Sequence, residues 1–212
     1  MRSSFPAPKI VCMARTFAQH AAELGNPVPE EPIFFLKAPS SVIGDGHAIK
    51  LPDCSEDVQH EAEVAIVIGQ TICKADKVTA AGAIHGWTVL NDVTARDLQR
   101  ADSGRFTRAK GFDTFCPMSD EILKGLDWRS LRIQCLVNGQ MRQDGALTDL
   151  TFEPAERVSK VSESMTLMAG DVVSLGTPAG VGTIQLGDVV QVRMVDLTGQ
   201  ILLTLTNPVE AP

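Results

Sequence analysis

Three acidic residues at the ends of two apolar segments are the ones best placed to do chemistry. Glu61 and Glu63 open the run His60–Ile68, which is otherwise typical of a buried β-strand. Because a strand alternates its faces, carboxylates at positions i and i+2 point the same way. Asp92 closes a second strand-like run, Trp87–Asp92. Two neighbouring strands could therefore bring three carboxylates to one point.

Carboxylates gathered in this way would need a cation, because each uncompensated buried ion costs several kcal/mol. Ligation by oxygen alone favours Mg²⁺, Mn²⁺ or Ca²⁺ over zinc. His60 does not supply a zinc ligand, since it faces away from Glu61 on a strand and no second His or Cys lies at a zinc-like spacing. The alternative is that Glu61 and Glu63 lie at an exposed strand end, solvated or paired with Lys or Arg. These residues alone leave both interpretations open.

A second candidate group is the pair His20 and Glu23. Their i, i+3 spacing places them on one face of a helix, where the carboxylate can orient the imidazole and raise its basicity. His20 could then take a proton from water near neutral pH. Arg15, just before this helix, favours a functional interpretation. The alternative is a solvated surface pair on an Ala-rich helix.

The helix that carries this pair is predicted from its end signals to span about residues 16–25. Thr16 is the expected N-cap, with Gln19 as its capping-box partner, and Gly25 and Pro27 mark the end. A helix of about two turns is marginal by itself. We therefore expect a small lid that could order over a site when ligand binds.

Composition limits the class of protein. The 212 residues, 44% of them hydrophobic, fit one domain over residues 1–212. A net charge of −7 and a pI near 5.1 give no basic surface for nucleic acid or anionic membranes. The longest apolar run, Val64–Ile68, is too short to cross a bilayer. Met1–Lys9 has no long apolar segment and no cleavage pattern, so export is not expected. Five cysteines without a C-x-x-C motif predict reduced thiols in a cytoplasmic protein.

The apolar pattern predicts an α+β fold that is rich in strands. Helices are expected near Ala75–Ile84 and Pro154–Met165, and Asn138-Gly139 predicts a tight type I′ hairpin. The expected strands are Lys9–Met13, Ile33–Lys37, Ala48–Leu51, Glu61–Ile68, Trp87–Asp92, Leu131–Val137, Gln140–Gln143, Gly170–Leu175, Asp188–Val195 and Gln200–Thr206. They indicate one mixed, mostly antiparallel β-domain with peripheral helices.

Other chemistry-bearing segments give weaker signals. Gly176–Gly182 lacks the Gly-Lys-Ser/Thr ending of a phosphate-binding loop, so a structured turn is expected. Lys37 and Lys110, as single lysines, would ordinarily be solvated. Cys12 and Cys116 lie in apolar company and are predicted to be core residues or residues that pack behind the site. No Ser-His-Asp pattern or nucleophile elbow is present.

Taken together, these segments resemble the fumarylacetoacetate hydrolase family, specifically its short single-domain members, the acylpyruvate hydrolases and related decarboxylases and isomerases. Each segment is weak alone, but their order and joint presence are specific. The matching segments are Val11–Arg15, His20–Gly25, Glu31–Lys37, His60–Glu63, Asn91–Gln99, Lys110–Asp113, Cys116–Pro117 and Gly176–Gly182.

The resemblance implies a mixed β-roll or β-sandwich and a homodimer. It also implies a site that binds Mg²⁺ or Mn²⁺, with Ca²⁺ as an alternative, and a small anionic 2-oxo acid. The roles that it implies are metal ligation by Glu61, Glu63 and Asp92, activation of water by His20 with Glu23, stabilisation of negative charge by Lys110, substrate contacts from Arg15, Gln99 and Thr177, and a supporting place near the metal for Lys37.

The activity implied is hydrolysis of a carbon–carbon bond in a 2,4-dioxo acid, such as acetylpyruvate or fumarylpyruvate, to pyruvate and a carboxylic acid. Oxaloacetate decarboxylation and isomerisation of an unsaturated dioxo acid are alternatives at the same residues, and a non-catalytic metal- or ligand-binding protein is another. One departure stands out. Where the family usually has Gly-Arg-Asn-Tyr, this chain has Ala14-Arg15-Thr16-Phe17, which predicts a different lid geometry or substrate preference.

Overall fold

The computed structural model describes residues 9–23, 25, 27 and 29–212, and in these residues it has five α-helices and four β-sheets. The helices are α1 Ala18–Glu23, α2 Lys77–Gly82, α3 Arg96–Ala101, α4 Thr107–Lys110 and α5 Pro154–Ser164. The strands are β1 Ile10–Ala14, β2 Ile33–Lys37, β3 Val42–Ile43, β4 Ile49–Lys50, β5 Val58–His60, β6 Ala62–Ile68, β7 Ile84–Asn91, β8 Thr94–Ala95, β9 Cys116–Pro117, β10 Leu131–Val137, β11 Gln140–Ala146, β12 Val172–Ser174, β13 Gly182–Thr183, β14 Val189–Asp196 and β15 Ile201–Glu210.

Two five-stranded sheets make up most of the structure. Their strand orders are β2-β1-β12-β6-β7 and β11-β10-β14-β15-β4, and two smaller sheets, β13-β5-β8 and β3-β9, complete the set in the described residues. Most pairings are antiparallel. The parallel ones join β1 to β12, β4 to β15 and β3 to β9. The predicted mixed, mostly antiparallel α+β fold is confirmed.

Strand β6 is buried on both faces. Val64 and Ile66 belong to the main core, where β6 and β7 contact β10, β14 and β15 of the other large sheet. Ala65 and Val67 belong to a smaller core cluster that includes Cys12. A strand covered on both sides needs apolar residues at every position, which explains the unbroken apolar run. Glu63 alternates with Val64, so its carboxylate lies on the face of the smaller cluster.

The predicted hairpin after β10 is confirmed. Asn138 and Gly139 connect β10 to β11 and have φ angles of 52° and 76°. Positive φ at both central positions defines the type I′ turn, whose twist matches that of the strands it joins.

Helix α1 is shorter than the predicted span of residues 16–25, because it begins at Ala18 and ends at Glu23. Gly25 follows it with a φ of 67°, and its N–H donates to the carbonyl of Ala22 at 3.0 Å. This is the role expected for a glycine just beyond a helix.

The predicted N-cap, Thr16, is wrong. Its hydroxyl donates to the carbonyl oxygen of Leu175 at 2.7 Å instead of accepting from the helix, and Phe17 forms an antiparallel bridge with Leu150. The Thr16 hydroxyl therefore bonds to a carbonyl that is distant in sequence and does not cap the nearby helix. The segment before α1 is fixed to the body of the protein by these contacts.

Helix α2 covers less than the predicted Ala75–Ile84, because Asp76 accepts from the amide of Thr79 at 2.7 Å and starts the helix later. All five cysteines are free thiols, and Cys12, Cys116 and Cys135 among them are buried. In the described part of the chain, no helix has the length and apolar character needed to span a membrane.

The double burial of β6 predicts a large stability cost for Ile66→Ala. Removing a fully buried isoleucine side chain leaves a cavity, and the expected loss is about 2–5 kcal/mol in the free energy of unfolding. Ile201→Ala, the same change at a side chain that is 50% exposed, is the matched control and should cost under about 1 kcal/mol. Urea denaturation measures both values. Equal losses would show that β6 is not the core strand described.

Candidate active site

Glu61, Glu63 and Asp92 form a buried acidic triad. Each offers one carboxylate oxygen, and these three atoms all lie within 4.8 Å of one another. The pairing of β6 with β7 produces this arrangement, because the N–H of Asp92 donates to the carbonyl of Glu61 at 2.8 Å and Glu63 lies opposite Leu90. Residues opposite one another on an antiparallel pair share a face. The structure therefore brings the two segments together as the sequence suggested.

Three cations surround the triad. The ammonium of Lys110 lies 2.8 Å from Glu61 Oε2 and 2.5 Å from Asp92 Oδ2. Lys37 donates to Asp92 Oδ1 at 2.6 Å, and the guanidinium of Arg96 donates to Glu61 Oε1. Both lysines are buried. The expectation that single lysines are solvated is wrong here, as is the alternative of an exposed strand end.

These charges act differently on the carboxylates. Burial by itself would raise the pKa of Glu61, but Lys110 and Arg96 outweigh it and hold that pKa below its usual range. Burial likewise opposes the charge of Lys110, yet Asp92 and Glu61 raise the pKa of its ammonium. For Glu63, burial raises the pKa and the charges of Asp92 and Glu61 raise it further. Glu63 is thus the carboxylate whose negative charge is least compensated.

The hydrogen bonds of Glu63 come from neutral donors. The hydroxyl of Ser174 and the amide of Gly176, at 3.0 Å, both donate to its Oε2. These bonds orient the carboxylate without adding a positive charge. A divalent cation among the three oxygens would supply that charge, and three carboxylate oxygens are a donor set that suits Mg²⁺ or Mn²⁺. The residues present therefore fit the metal that the resemblance implies.

His20 and Glu23 meet as a dyad. His20 Nδ1 lies 3.1 Å from Glu23 Oε2, and the His20 side chain is only 8% exposed. The backbone N–H of Gly180 also donates to both carboxylate oxygens of Glu23, at 3.1 and 3.3 Å. The alternative of a fully solvated pair does not describe His20. In the tautomer that donates the Nδ1 proton to Glu23, Nε2 carries no proton and has the lone pair that a base needs.

The triad and the dyad open onto one cavity of about 600 Å³. Phe35 and Phe106, with stacked rings whose centroids are 4.4 Å apart, form part of its wall. The residues of the predicted site that line it are Arg15, His20, Glu23, Glu61, Glu63, Asp92, Gln99, Lys110 and Thr177. Lys37 is placed outside this lining, where its ammonium contacts Asp92 and the carbonyl of Val93.

The loop Gly176–Gly182 joins the parts of the site. Thr177 donates its hydroxyl to the carbonyl of Ala62 at 2.9 Å and accepts from Gln143 at 2.7 Å. With the bonds from Gly176 to Glu63 and from Gly180 to Glu23, the loop ties the triad to the dyad. The structure has a bend at Ala179 there and assigns no turn to this segment, where a structured turn was expected. The Thr177 hydroxyl is already engaged with the protein.

Two other predicted substrate contacts lie at the cavity wall. Gln99 accepts from Arg96 at 2.6 Å through its side-chain oxygen, which leaves its amide nitrogen as the polar group to offer a ligand. Arg15 has a φ of 56°, in the left-handed region that non-glycine residues seldom adopt. Their roles toward a substrate stay predictions.

Sequence reasoning missed several residues that shape the site. Arg96 had a usable signal, because it follows Asp92 by four positions at the start of a helix and carries the charge that a buried acid needs. Ser174 and Gln143 gave no such signal in the sequence, because their partners are distant along the chain. Ser174 bonds to Glu63, and Gln143 bonds to His60 and Thr177.

Comparison with known proteins identifies the family. The sequence model of the fumarylacetoacetate (FAA) hydrolase C-terminal domain matches residues 9–210. The chain belongs to the fumarylacetoacetate hydrolase family of enzymes.

Individual relatives carry several different activities. The mitochondrial oxaloacetate decarboxylase of Dictyostelium discoideum is 41% identical over 189 residues, covering 86% of this chain and 87% of that protein. The mitochondrial oxaloacetate tautomerase FAHD1 of Arabidopsis thaliana is 42% identical over 184 residues, covering 84% and 82%. A crystal structure of fumarylpyruvate hydrolase from Pseudomonas aeruginosa, in complex with Mn²⁺ and pyruvate, superposes with a TM-score of 0.88 at 29% identity, covering 98% of this chain and 91% of that one.

Because Lys110 compensates two buried carboxylates, Lys110→Met should lower the stability of the protein strongly. Without the ammonium, Glu61 and Asp92 keep their negative charges in a buried site, which should cost about 3–5 kcal/mol of unfolding free energy in metal-free protein. Lys124→Met, the same substitution at an exposed lysine, should change stability by under about 0.5 kcal/mol. Denaturant titration in the presence of a chelator measures both, and similar values for the two variants would contradict the described pairing.

Proposed function

We propose that this protein is a divalent-metal-dependent hydrolase that cleaves a carbon–carbon bond in 2,4-dioxo acids, such as acetylpyruvate or fumarylpyruvate, to give pyruvate and a carboxylic acid. The observation that carries this proposal is the placing of a His20–Glu23 dyad and the acidic triad on the same cavity. Hydrolysis needs a base for water and a cationic centre for the charge that develops, and this cavity offers residues for both.

The dyad would activate the water. Nε2 of His20 takes a proton as the water oxygen bonds to the distal carbonyl carbon of the substrate, while Glu23 holds the ring through Nδ1 and stabilises the imidazolium. The bond between that carbon and the adjacent methylene carbon then breaks. Its electron pair passes into the enolate of pyruvate, and a proton returned to the methylene carbon completes the products.

Lys110 is placed to stabilise the enolate. An ammonium has three N–H donors, of which Glu61 and Asp92 engage two, and the side chain lines the cavity. Its raised pKa keeps it protonated at neutral pH, so it presents a fixed positive charge where negative charge develops. Mg²⁺ or Mn²⁺ held by the triad would supply Lewis-acid polarisation of the substrate oxygens.

A second reaction has specific support. The relatives of Dictyostelium discoideum and Arabidopsis thaliana, at 41% and 42% identity, are named for decarboxylation and tautomerisation of oxaloacetate. Both reactions also pass through an enolate of a 2-oxo acid, so the residues around the triad serve them equally well. They differ from hydrolysis because no water attacks the substrate.

The substrate class is accordingly a small anionic 2-oxo acid. In a chain of net charge −7, such an anion must be attracted by local cations, and Arg15, Arg96, Arg100 and Lys110 line the cavity. A homodimer, which the family resemblance implies, and a cytoplasmic location, which the cysteines predict, are further proposals.

Metal removal should test the proposal directly. We expect the ultraviolet absorbance of enolised acetylpyruvate and fumarylpyruvate to fall with stoichiometric release of pyruvate when Mg²⁺ or Mn²⁺ is present, and not to fall with excess chelator. Oxaloacetate assayed in parallel distinguishes the second reaction. Turnover of oxaloacetate alone would replace hydrolysis by decarboxylation or tautomerisation, and turnover that persists in chelator would contradict the metal-dependent account.

If His20 is the general base, His20→Ala should lose most of the hydrolytic activity. Removing a general base should lower kcat for hydrolysis about 10²–10⁴-fold, with folding unchanged by circular dichroism. His85→Ala, at an exposed histidine away from the cavity, is the matched control and should keep full activity. Retained hydrolysis in His20→Ala would remove His20 from its role as base.

A further inference from the structure

Arg157 on α5 is a fully buried cation that does not contact the acidic triad. It is 0% exposed, and its hydrogen bonds go to backbone carbonyls. Its Nε donates to the carbonyl of Phe152 at 2.8 Å and one terminal nitrogen donates to the carbonyl of Leu175 at 2.7 Å. The other terminal nitrogen is buried and has no hydrogen-bond partner. A guanidinium is costly to bury in this way, so its place behind the site calls for an explanation.

The Leu175–Gly176 peptide links this guanidinium to the triad. The carbonyl oxygen of Leu175 accepts from both Arg157 and the hydroxyl of Thr16, each at 2.7 Å. On the other side of the same peptide, the N–H of Gly176 donates to Glu63 Oε2 at 3.0 Å. A peptide group is planar, so fixing its carbonyl also fixes the direction of its N–H. Donors on the carbonyl polarise the group and strengthen the bond that its N–H makes.

Glycine is required at this link. Gly176 has a φ of 87°, and a Cβ added there would lie 2.0 Å from the hydroxyl oxygen of Thr16. The backbone thus leaves the space in which Thr16 reaches the Leu175 carbonyl.

The electrostatics point in the same direction. Burial lowers the pKa of Arg157 to about 9, and the charge of Glu63 opposes that shift. The negative charge of Glu63 therefore acts on the guanidinium of Arg157, although the hydrogen bonds that connect the two side chains run through a peptide group.

We propose that Arg157 is a positioning residue for the metal site: acting through the Leu175–Gly176 peptide, with Thr16 as a second donor, it orients the Glu63 carboxylate for metal ligation. The inference rests on the proposed metal site. Groups that hold a metal ligand in place typically change metal affinity about 10–100-fold when they are removed. Arg157 and Thr16 contact neither substrate nor metal in this account, so their effect is on ligand geometry.

The test is Mn²⁺ affinity, measured by electron paramagnetic resonance of free Mn²⁺ during titration of the protein. Arg157→Met should weaken Mn²⁺ binding about 10–100-fold. Thr16→Val, which keeps the shape but removes the hydroxyl, should weaken it by a smaller factor, and Thr16→Ser should restore it. Val158→Ala, a buried change on the same helix, is the control for general loosening: it should lower the melting temperature and leave Mn²⁺ affinity unchanged.

The outcomes separate this inference from the proposed function. Wild-type binding of Mn²⁺ with unchanged affinity in Arg157→Met and Thr16→Val would overturn the inference alone. Equal weakening in Val158→Ala would also overturn it, because the effect would then be structural. Absence of Mn²⁺ binding in the wild type would overturn the proposed metal site and this inference together. If Arg157→Met does not fold, the comparison of Thr16→Val with Thr16→Ser decides.

Discussion

The structure depends on a balance of buried charge. Three carboxylates lie within a few ångströms of one another, and Lys110, Lys37 and Arg96 compensate two of them by direct contact. The third, Glu63, is held by neutral donors and has a raised pKa. Without further positive charge, burying these carboxylates together costs free energy of folding. In the proposed function, the same three carboxylates would hold a divalent cation that compensates this charge, which links the fold to the proposed chemistry.

The fold supplies the rigidity that this balance needs. Because β6 is covered on both faces, Glu63 projects from a strand that has little freedom to adjust, and Glu61 directly precedes that strand. The loop from Gly176 to Gly182 then carries hydrogen bonds to both Glu63 and Glu23. The acidic triad and the dyad are consequently held by one segment of backbone, and the position of Glu23 relative to Glu63 follows from it.

The sequence predicted those parts of the site that depend on the spacing of residues along one strand or helix. The i, i+2 spacing of Glu61 and Glu63 and the i, i+3 spacing of His20 and Glu23 follow strand and helix geometry, and the structure shows both pairs together. The roles of Thr16, Arg157 and Lys37 depend instead on contacts made across the fold. Thr16 carried a clear helix-capping signal, and its hydroxyl nevertheless bonds to a carbonyl 159 positions away. Local propensity cannot foresee such a partner.

Crystals of the protein grown with Mn²⁺ would show whether the acidic triad holds a divalent cation. We expect one anomalous-scattering peak about 2.1 Å from an oxygen of each of Glu61, Glu63 and Asp92, a distance normal for a small divalent ion bound to oxygen. A fully ordered triad with no anomalous peak at saturating Mn²⁺, and Lys110 still bridging Glu61 and Asp92, would contradict it.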